Sequence, residues 1–518
     1  MLRTTTTTKT TTTVTRSILN KRNYAAATSP TSTFNERPQT DQLIQDIANY
    51  VHNKDITSPL ALQTAKWCLL DTMGCGLAAL KFPLAKKVMT PVMADQLTQI
   101  SQGTKIPGTN WVMDPINGSF TFGTMIRWLD FNDCWLAAEW GHPSDNLGGI
   151  LPVADYINRT QKGKVTPLTI NDVLKCMIKA HEIQGILALD NSFNSHGLDH
   201  VLLVKLATAS VVSKLLGLTQ EQTTQCIAHS LVDGQSLRTY RHSPNTGSRK
   251  SWAAGDAVSR AVRLAFMVKQ TDGQLGDIPS ILSAPKWGFY DVLNGGEPFK
   301  FNQRNTFDSY VMENVLFKIS FPAEFHAQTA VEAALTVKQQ LDAIGKTYAN
   351  IKSIRIRTQQ AGMDIINKSG PLYNYADRDH CIQYMVAIPL IYGELNANHY
   401  MDDIALGNPE IDVLRDKMEC VVDEQFTKDY HDPEKRAIPN ALLVELNDGT
   451  VLDEVVVDYP IGHRLRREEG IPLLLQKFTN HLDQHFGNDT RAAKILETSL
   501  DEKFGDMPVD QYVDMYHG

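Results

Sequence analysis

Apolar residues in the first half of the chain recur every three to four positions, which is the period of a helix that buries one face. The segments with this pattern are 60–80, 116–129, 173–187, 201–216 and 251–268, and a further helix is expected to open at Thr219. Each segment is predicted to be an amphipathic or a buried helix. We therefore expect an almost wholly helical chain through about residue 314.

The pattern changes to a period of two in the segment that follows, which indicates β-strands. Residues 351–357, 442–446 and 451–457 alternate in this way. Asp448 and Gly449 separate the last two runs, and glycine supplies the positive φ that a tight hairpin turn requires. The sequence therefore predicts a smaller α+β part that contains this hairpin.

The helical period returns near the C-terminus, in residues 471–482 and 491–500. With 518 residues the chain is longer than one core usually covers, so two domains are expected. We predict a mainly α protein with a large helical domain formed from both chain ends, residues 34–314 and 461–518. An α+β lid domain, residues 315–460, is expected to be inserted between them.

Residues 1–33 have the composition of a mitochondrial transit peptide. They are rich in Thr, Ser and Ala, contain basic residues and precede the first acidic residue, Glu36. Such a segment forms a cationic amphipathic helix at a negatively charged membrane and adds nothing to a packed core. Residues 22–25 (Arg-Asn-Tyr-Ala) resemble the cleavage site of a matrix precursor, which places the mature start near Ala25. The alternative is a disordered tail.

The charge balance and the cysteine spacing argue against several functional classes. Acidic residues outnumber basic ones by 58 to 50, and the net charge of -8 disfavours nucleic acid as a partner. No uninterrupted apolar run reaches the roughly 20 residues that cross a bilayer, so no membrane partner is expected. The seven cysteines form no CxxC pair, which argues against a disulfide framework, a zinc ribbon and an iron–sulfur cluster. We therefore expect no metal and no cofactor.

A first candidate for chemistry is the loop around His142. The phrases Arg127–Trp135 and Glu139–Asn146 crowd acids, an imidazole and three tryptophans together just after a predicted helix. Loops on a rigid scaffold often present functional groups, and histidine is the side chain best suited to proton transfer near neutral pH. The structural alternative is that Ser144 and Asp145 cap the next helix while the imidazole bonds locally.

Two further segments are rich in histidine or in cations. His196 and His200 have the i, i+4 spacing of a zinc pair, but Gly197 disfavours the helix that such a pair needs. An active-site role or a capping role for one histidine is therefore favoured over zinc. Residues 238–256 combine cations with Gly, Ser and Asn at a helix start, which predicts a site for an anionic ligand. The alternative there is a solvated basic loop.

Residues 317–326 and 377–384 are the last two candidates. The first segment lies near the change in periodicity, and a domain boundary is a common place for a ligand cleft. The second places charged residues before an apolar stretch, and its alternative interpretation is a capped helix start.

Six phrases, taken in order along the chain, resemble the MmgE/PrpD family. They are Arg127–Trp135 (RWLDFNDCW), Glu139–Leu151 (EWGHPSDNLGGIL), Gly197–Lys205 (GLDHVLLVK), Asn245–Asp256 (NTGSRKSWAAGD), Phe317–His326 (FKISFPAEFH) and Asp377–Tyr384 (DRDHCIQY). The resemblance covers most of the chain from about Arg37 onward. It implies a helical domain built from both chain ends, an α+β lid, a homodimer and an active site at the junction.

The family includes cis-aconitate decarboxylase, whose active-site residues can be compared with this sequence one by one. Its aspartate, first histidine and lysine fall on Asp130, His142 and Lys250, and its second histidine falls near His200 when a short gap is allowed. The resemblance implies that His142 transfers protons, that Asp130 orients or assists it, and that His200 is the second acid–base group. Lys250 is implied to bind a substrate carboxylate.

Other positions depart from the decarboxylase. The position of its threonine is occupied by Cys134 here. Lys318 lies one position away from the place of its second active-site lysine, and Glu324 stands where it has a histidine. Its active-site tyrosine has no counterpart. These differences favour dehydration over decarboxylation. We expect Arg249 and Lys318 to bind carboxylates as well, and Cys134, Glu324 and His326 to contact the substrate.

The resemblance therefore implies an enzyme that removes water from 2-methylcitrate to give 2-methyl-cis-aconitate, without a metal. This reaction needs a base, an acid and cations that hold three carboxylates. The alternative within the family is decarboxylation of cis-aconitate to itaconate, and the alternative outside enzymes is a catalytically silent tricarboxylate-binding protein. The implied setting is the methylcitrate cycle of propionate catabolism in the mitochondrial matrix.

Overall fold

Helices make up most of the described chain up to residue 270. The computed structural model describes residues 36–90, 102–232, 234–487 and 490–518. The helices of this part are α1 (Gln42–Asn53), α2 (Pro59–Ala79), α3 (Pro83–Met89), α4 (Pro115–Arg127), α5 (Leu147–Thr160), α6 (Ile170–Asp190), α7 (Val201–Leu215), α8 (Gln220–Val232) and α9 (Arg249–Gln270). The predicted helices are confirmed close to their expected bounds, including the helix expected to open at Thr219.

The expectation of an almost wholly helical chain to residue 314 is wrong for residues 271–309. Within that range the structure has α10 (Phe289–Leu293), and α11 (Tyr310–Asn314) follows it. The reason is a set of glycines with positive φ, which a right-handed helix does not accommodate: Gly273, Gly276, Gly295 and Gly296. A short antiparallel pair, β1 (Thr104–Lys105) and β2 (Val112–Met113), also interrupts the helical region.

The remaining described residues combine a sheet with further helices. The strands are β3 (Ile351–Thr358), β4 (Met418–Val422), β5 (Asn440–Leu446) and β6 (Val455–Val457). The helices are α12 (Gln328–Ala343), α13 (Gln360–Ile366), α14 (Tyr375–Arg378), α15 (Ile382–Tyr392), α16 (Asp402–Gly407), α17 (Glu410–Arg415), α18 (Glu424–His431), α19 (Arg467–Phe486), α20 (Thr490–Leu500) and α21 (Val509–Tyr516). The fold is mainly α with a smaller α+β part, as the sequence predicts.

The four strands lie in the order β4-β3-β5-β6. Strand β3 is parallel to β4 and antiparallel to β5, and β5 is antiparallel to β6. Alternate residues of β3 are buried, as its period of two requires. Helices α12 and α15 pack against each other, and α12 also packs on β5, so one face of the sheet is covered.

The predicted hairpin after β5 is confirmed only at its turn. Gly449 has a φ of 85°, the left-handed conformation that glycine adopts without steric cost. The prediction of one strand over residues 451–457 is wrong, because Val451 makes only an isolated bridge and β6 begins at Val455. Glu454 instead turns its carboxylate to Arg357, which donates to it over 2.9 Å.

Buried apolar side chains form two main clusters. The larger cluster draws its members from residues 44–319 and again from 461–516, and the smaller one from residues 323–446. A small third cluster joins side chains from both parts of the chain: Cys134, Leu136, Leu316, Phe325, Tyr430 and Ile438. The chain thus leaves the larger core once and returns to it.

Residues 39–518 group as one compact unit, and residues 1–38 form another, of which 36–38 are described. The predicted transit peptide, residues 1–33, therefore lies outside the described residues. No single helix in the described part of the chain is both long and apolar enough to cross a bilayer. Helices α2 and α3 meet those criteria only together, and the chain bends by 103° between them.

Glycine brings together two helices that carry predicted site residues. Helix α4 ends at Arg127, and Lys250 lies in the first turn of α9. A Cβ on Gly255 would lie 2.6 Å from the carbonyl oxygen of Phe120, and a Cβ on Gly123 would lie 2.9 Å from the Cα of Gly255. Larger residues would therefore force α4 and α9 apart and separate the two cations.

Candidate active site

A small cavity lies where the chain segments of the two main clusters meet. Its volume is about 50 Å³. Its lining consists of Arg127, Asp130, Cys134, Trp140, His142, His200, Arg238, Arg241, His242, Lys318, Glu324, Phe325, His326, Ile365 and His380. Of the site residues predicted from the sequence, the structure brings all but Arg249 and Lys250 to this wall.

Asp130 is held between two cations at the end of α4. Its Oδ1 accepts a hydrogen bond from Arg127 and one of 2.6 Å from Lys318 Nζ. Burial opposes ionisation, but the charges of Arg127 and Lys318 outweigh it and hold the pKa of Asp130 well below its usual value. Its φ of 50° is unusual for a residue other than glycine, and such strain is common at functional sites. Asp130 therefore stays a carboxylate that positions the cations.

His142 is a neutral imidazole with a defined tautomer. Its Nδ1 lies 2.7 Å from the carbonyl oxygen of Asp133 and therefore donates to it. Its Nε2 lies 2.6 Å from Arg127 Nη2, which donates to the ring. Burial and the charge of Arg127 hold the pKa of His142 well below its usual value. The lone pair of His142 thus lies on Nε2 and points to the guanidinium.

His200 carries an unused lone pair. Its Nδ1 lies 3.3 Å from Asp199 Oδ1, and its buried Nε2 has no hydrogen-bond partner among the described residues. Burial, opposed by Asp199 and assisted by Arg241, lowers the pKa of His200 to about 3. The rings of His142 and His200 are 5.5 Å apart. His200 Nε2 is free to accept a proton from a ligand in the cavity, whereas His142 Nε2 can do so only when Arg127 turns away from it.

The cavity wall carries an excess of positive charge. Its cations are Arg127, Arg238, Arg241 and Lys318, and its carboxylates are Asp130 and Glu324. Arg241 is paired with Asp199, and Arg238 Nη1 lies 3.4 Å from Glu139 Oε1, so both guanidiniums are held in place from behind. Such a wall favours a ligand with several carboxylates, because guanidinium and ammonium groups form charge-assisted hydrogen bonds with them.

Lys250 lies one layer behind the wall. Its Nζ donates to Asp379 Oδ1 over 2.5 Å and lies 2.9 Å from His380 Nδ1. Burial lowers the pKa of Lys250, although Asp379 opposes the shift. His380 in turn lines the cavity, with its Nε2 3.9 Å from Asp130 Oδ2. Lys250 therefore acts on this site through its neighbours in the present geometry.

Glu324 and His326 form a second pair of lining residues. His326 Nδ1 donates to Glu324 Oε1 over 2.9 Å, and its Nε2 lies 3.2 Å from the hydroxyl of Tyr430. Trp140 Nε1 donates to the same hydroxyl over 2.6 Å. Burial opposes ionisation of Glu324, but His326 brings its pKa down to about 2. The pair is thus a fixed carboxylate with an imidazole behind it.

Arg249 is not part of this site. Its Nη2 donates to Asp256 Oδ2 over 3.0 Å, and its guanidinium stacks 4.3 Å from the ring of Trp252. The expectation that Arg249 binds a carboxylate beside His142 therefore has no geometric support. The zinc pair is also not formed, because His196 is exposed while His200 is buried before the start of α7.

Among the residues that the structure describes, two groups have the composition of metal ligands. Asp130, Asp379 and His380 form one, but Lys318 and Lys250 donate to its carboxylates, and these ammonium groups would repel a metal cation. Cys68, Asp133 and His181 form the other. Burial and the nearby Asp133 raise the pKa of the Cys68 thiol well above its usual value, which disfavours the thiolate that binds a metal.

The sequence did not single out several lining residues. Arg238, Arg241 and His242 belong to the segment predicted to bind an anion, and His380 belongs to the last charged phrase. The concentration of charge was therefore visible in the sequence. The direction of each side chain was not, because it depends on how distant segments pack.

The fold and this polar cavity agree with one known family, and the chain belongs to it. Residues 45–302 match the MmgE/PrpD N-terminal domain, and residues 321–502 match the MmgE/PrpD C-terminal domain. These two matches cover the smaller main cluster of buried residues and most of the larger one. The resemblance seen in the sequence phrases is confirmed.

Relatives within the family share most of their length with this chain. A probable 2-methylcitrate dehydratase of Saccharomyces cerevisiae is 61% identical over 96% of both chains. A mitochondrial 2-methylcitrate dehydratase of Yarrowia lipolytica is 58% identical over 96% of this chain and 95% of its own. The 2-methylcitrate dehydratase of Escherichia coli K12 is 57% identical over 93% of this chain and 98% of its own.

Proposed function

We propose that the protein is a 2-methylcitrate dehydratase, a hydro-lyase that converts 2-methylcitrate to 2-methyl-cis-aconitate and water. The observation that carries the proposal is a pair of neutral histidines, His142 and His200, beside a wall of cations. Nε2 of His200 has no hydrogen-bond partner among the described residues. The names of the similar proteins from yeast and bacteria support the same activity. The alternative functions are decarboxylation of cis-aconitate to itaconate and binding of a tricarboxylate without catalysis.

The proposed reaction is an elimination of water in which the enzyme takes one proton from the substrate and returns one to the leaving group. Nε2 of His200 takes the proton from the methyl-bearing carbon, the C–H electrons form the new double bond, and the C–O bond of the neighbouring carbon breaks. That proton returns from His200 Nε2 to the departing hydroxide, either directly or through His142 Nε2 once Arg127 has turned to a substrate carboxylate, and the hydroxide leaves as water. Three substrate carboxylates beside the pair favour the imidazolium in the complex, because opposite charges raise a histidine pKa.

The lining cations hold the carboxylates of the substrate. Lys318, Arg127, Arg238 and Arg241 offer several donors, and charge that develops on the reacting carboxylate is stabilised by such fixed groups. Asp130 keeps Arg127 and Lys318 in place. Lys250 supports the wall through Asp379 and His380.

We also propose that residues 315–460 act as a lid. The cavity of about 50 Å³ is far smaller than the roughly 300–1,000 Å³ of ordinary ligand sites, so a tricarboxylate needs the walls to separate. One wall carries His142 and His200, and the facing wall carries Glu324 and His380. Outward movement of the second wall opens the cavity without disturbing the histidine pair.

The first test is a direct assay of the chelator-treated mature protein with 2-methylcitrate. The expected result is a rise in ultraviolet absorbance from the conjugated double bond, with 2-methyl-cis-aconitate identified by mass. Carbon dioxide and itaconate from cis-aconitate, without this product, would move the protein to the decarboxylase branch. Tight tricarboxylate binding without turnover would support the silent binder. Activity that chelation abolishes and iron restores would refute metal independence.

A His142→Ala variant tests the site within the same assay. Turnover is expected to fall about a hundredfold or more, because a positioned acid–base group contributes typically 10²–10⁴-fold. The exposed His196→Ala variant, in the neighbouring loop, is the matched control and should retain activity. Near-normal turnover of His142→Ala would remove His142 from the mechanism.

We further propose that the protein works as a homodimer in the mitochondrial matrix, in the methylcitrate cycle of propionate catabolism. The composition of residues 1–33 and the mitochondrial location in the name of the Yarrowia relative support this setting. Light scattering of the purified mature chain tests the dimer. Protease protection in isolated mitochondria, with and without residues 1–33, tests the matrix location.

A further inference from the structure

Four of the residues that line the cavity are apolar. Cys134, Trp140, Phe325 and Ile365 are its apolar members, and the other lining residues are charged or polar. A cavity meant only for carboxylates and a hydroxyl has no use for such a patch, because it offers them neither charge nor hydrogen bonds. The patch therefore indicates that the ligand carries an apolar group.

Three of the four side chains are contiguous. Cys134 and Phe325 belong to the same buried apolar cluster, on which Trp140 packs with its ring 5.7 Å from that of Phe325. Ala361 packs on this cluster as well, whereas Ile365, one turn further along α13, packs against the smaller main cluster. The patch thus joins one wall of the cavity to the facing wall.

When the walls are closed, the patch is also held in a fixed position. Trp140 Nε1 donates to Tyr430 over 2.6 Å, which orients the indole. The backbone of Cys134 pairs with Leu316, donating over 2.7 Å and accepting over 2.9 Å. A surface fixed in this way can distinguish ligands by the shape of a single apolar group.

The patch adjoins the proton-transfer groups. Cys134 Sγ lies 3.3 Å from His142 Nδ1, and the ring of His142 is 5.5 Å from that of His200. In 2-methylcitrate the methyl group sits on the carbon that loses the proton when 2-methyl-cis-aconitate forms. A base placed at that carbon therefore brings the methyl group to the surface beside the histidine pair.

We propose that Cys134, Trp140, Phe325 and Ile365 form the seat of the substrate methyl group and make the enzyme prefer 2-methylcitrate to citrate. This inference rests on the proposed dehydratase function and adds to it the residues that set substrate choice. Citrate has the same three carboxylates and the same hydroxyl but leaves the seat empty. One methylene in an apolar pocket changes kcat/KM by roughly 10–200-fold, which sets the expected preference.

The test compares kcat/KM for 2-methylcitrate and for citrate in the full mature chain. Ile365→Ala removes apolar surface from a partly exposed position, so the fold should tolerate it. Cys134→Ser keeps the size of the side chain and adds polarity. The ratio of the two kcat/KM values is expected to fall about tenfold in Ile365→Ala and at least threefold in Cys134→Ser, and neither loss should exceed the roughly 10–200-fold worth of one methylene. Ile344→Ala, at an exposed isoleucine away from the cavity, is the matched control and should keep the wild-type ratio.

The outcomes separate this inference from the proposed function. A wild-type protein that dehydrates neither substrate defeats the proposed function itself. A wild-type protein that is active, with both cavity variants keeping its substrate ratio, overturns the methyl seat and leaves the dehydratase in place. Equal losses of kcat/KM for both substrates also overturn it, because the patch would then maintain the shape of the cavity without contacting the methyl group. Circular dichroism checks that each variant is folded.

Discussion

At the scale of single residues, Asp133 performs two tasks at once. Its carbonyl oxygen accepts the Nδ1–H of His142, and its carboxylate accepts from Ser144 N over 3.0 Å and from His181 Nε2 over 2.9 Å. The carboxylate therefore ties down the loop, and the carbonyl uses that fixed position to set the tautomer of His142. Asp133 is a positioning residue that never touches the cavity.

An Asp133→Asn variant should lower kcat about 10- to 100-fold while changing KM little. The amide oxygen can still accept from Ser144 N, but the new NH2 group cannot accept from His181 Nε2. The loop therefore shifts and misplaces the imidazole of His142. Steady-state kinetics measure the split between kcat and KM. Asp501→Asn, at an exposed carboxylate, is the control. A rise in KM without loss of kcat would place Asp133 in binding instead.

The depressed histidine pKa values predict an unusual pH profile. Catalysis needs the neutral form of His200, whose pKa is about 3, and the pKa of His142 is also well below its usual value. Lowering the pH from about 7 to about 5 therefore leaves both imidazoles of the free enzyme neutral, and kcat/KM should not fall through their protonation. A His200 imidazole that titrates near 6.5 in the free enzyme, followed by NMR, would contradict this assignment.

At the scale of elements, the segment that carries Lys318 is held by a close backbone contact. Phe317 N donates to Gly462 O over 3.1 Å, and a Cβ on Gly462 would lie 2.6 Å from the carbonyl carbon of Phe317. Only glycine allows this approach. The position of Lys318 Nζ, 2.6 Å from Asp130 Oδ1, therefore depends on a residue far along the chain.

Gly462→Ala should destabilise the fold by about 1–3 kcal/mol, because the added methyl overlaps backbone that cannot move away freely. Turnover should fall as well, since the shift displaces Lys318. Chemical denaturation and the dehydratase assay measure the two effects. Gly407→Ala, at an exposed glycine with open space around its Cβ position, is the matched control. Equal stability of the two variants would show that the contact is not tight.

At the scale of the whole molecule, the Lys250–Asp379 ion pair connects the two main parts. Lys250 belongs to α9, and Asp379 follows α14, so the pair joins the helical core to the inserted segment. Both side chains are almost fully buried. The pair is therefore strongly coupled, because either partner alone would be a buried charge without compensation.

Lys250→Met should cost about 3–5 kcal/mol in the free energy of unfolding, the range measured when one partner of a buried ion pair is removed. Lys250→Met combined with Asp379→Asn should recover much of that loss, since the orphaned charge is then gone. Urea titration of the single and double variants measures the coupling. Additive losses in the double variant would mean that the two residues act independently.

The sequence was sufficient for the main elements and for much of the site. Helical periodicity located α2 and α7, and the family phrases located Asp130 and His142. It could not separate Arg249 from Lys250, because adjacent helical residues point about 100° apart and only the packing of α9 on α4 decides which faces inward. It also could not pair Lys250 with Asp379, since these partners are 129 residues apart.

The chain leaves the helical core and re-enters it at neighbouring points, since Phe317 and Gly462 share a hydrogen bond. A segment that keeps a partner for Lys250 and a cation for Asp130 can therefore replace everything between them without altering the distance between the two junctions. Such a graft would replace Glu324, Phe325, Ile365 and His380 in one genetic event and leave His142 and His200 untouched. Recombination at two adjacent points thus offers this architecture a route to new substrates on an unchanged proton-transfer apparatus.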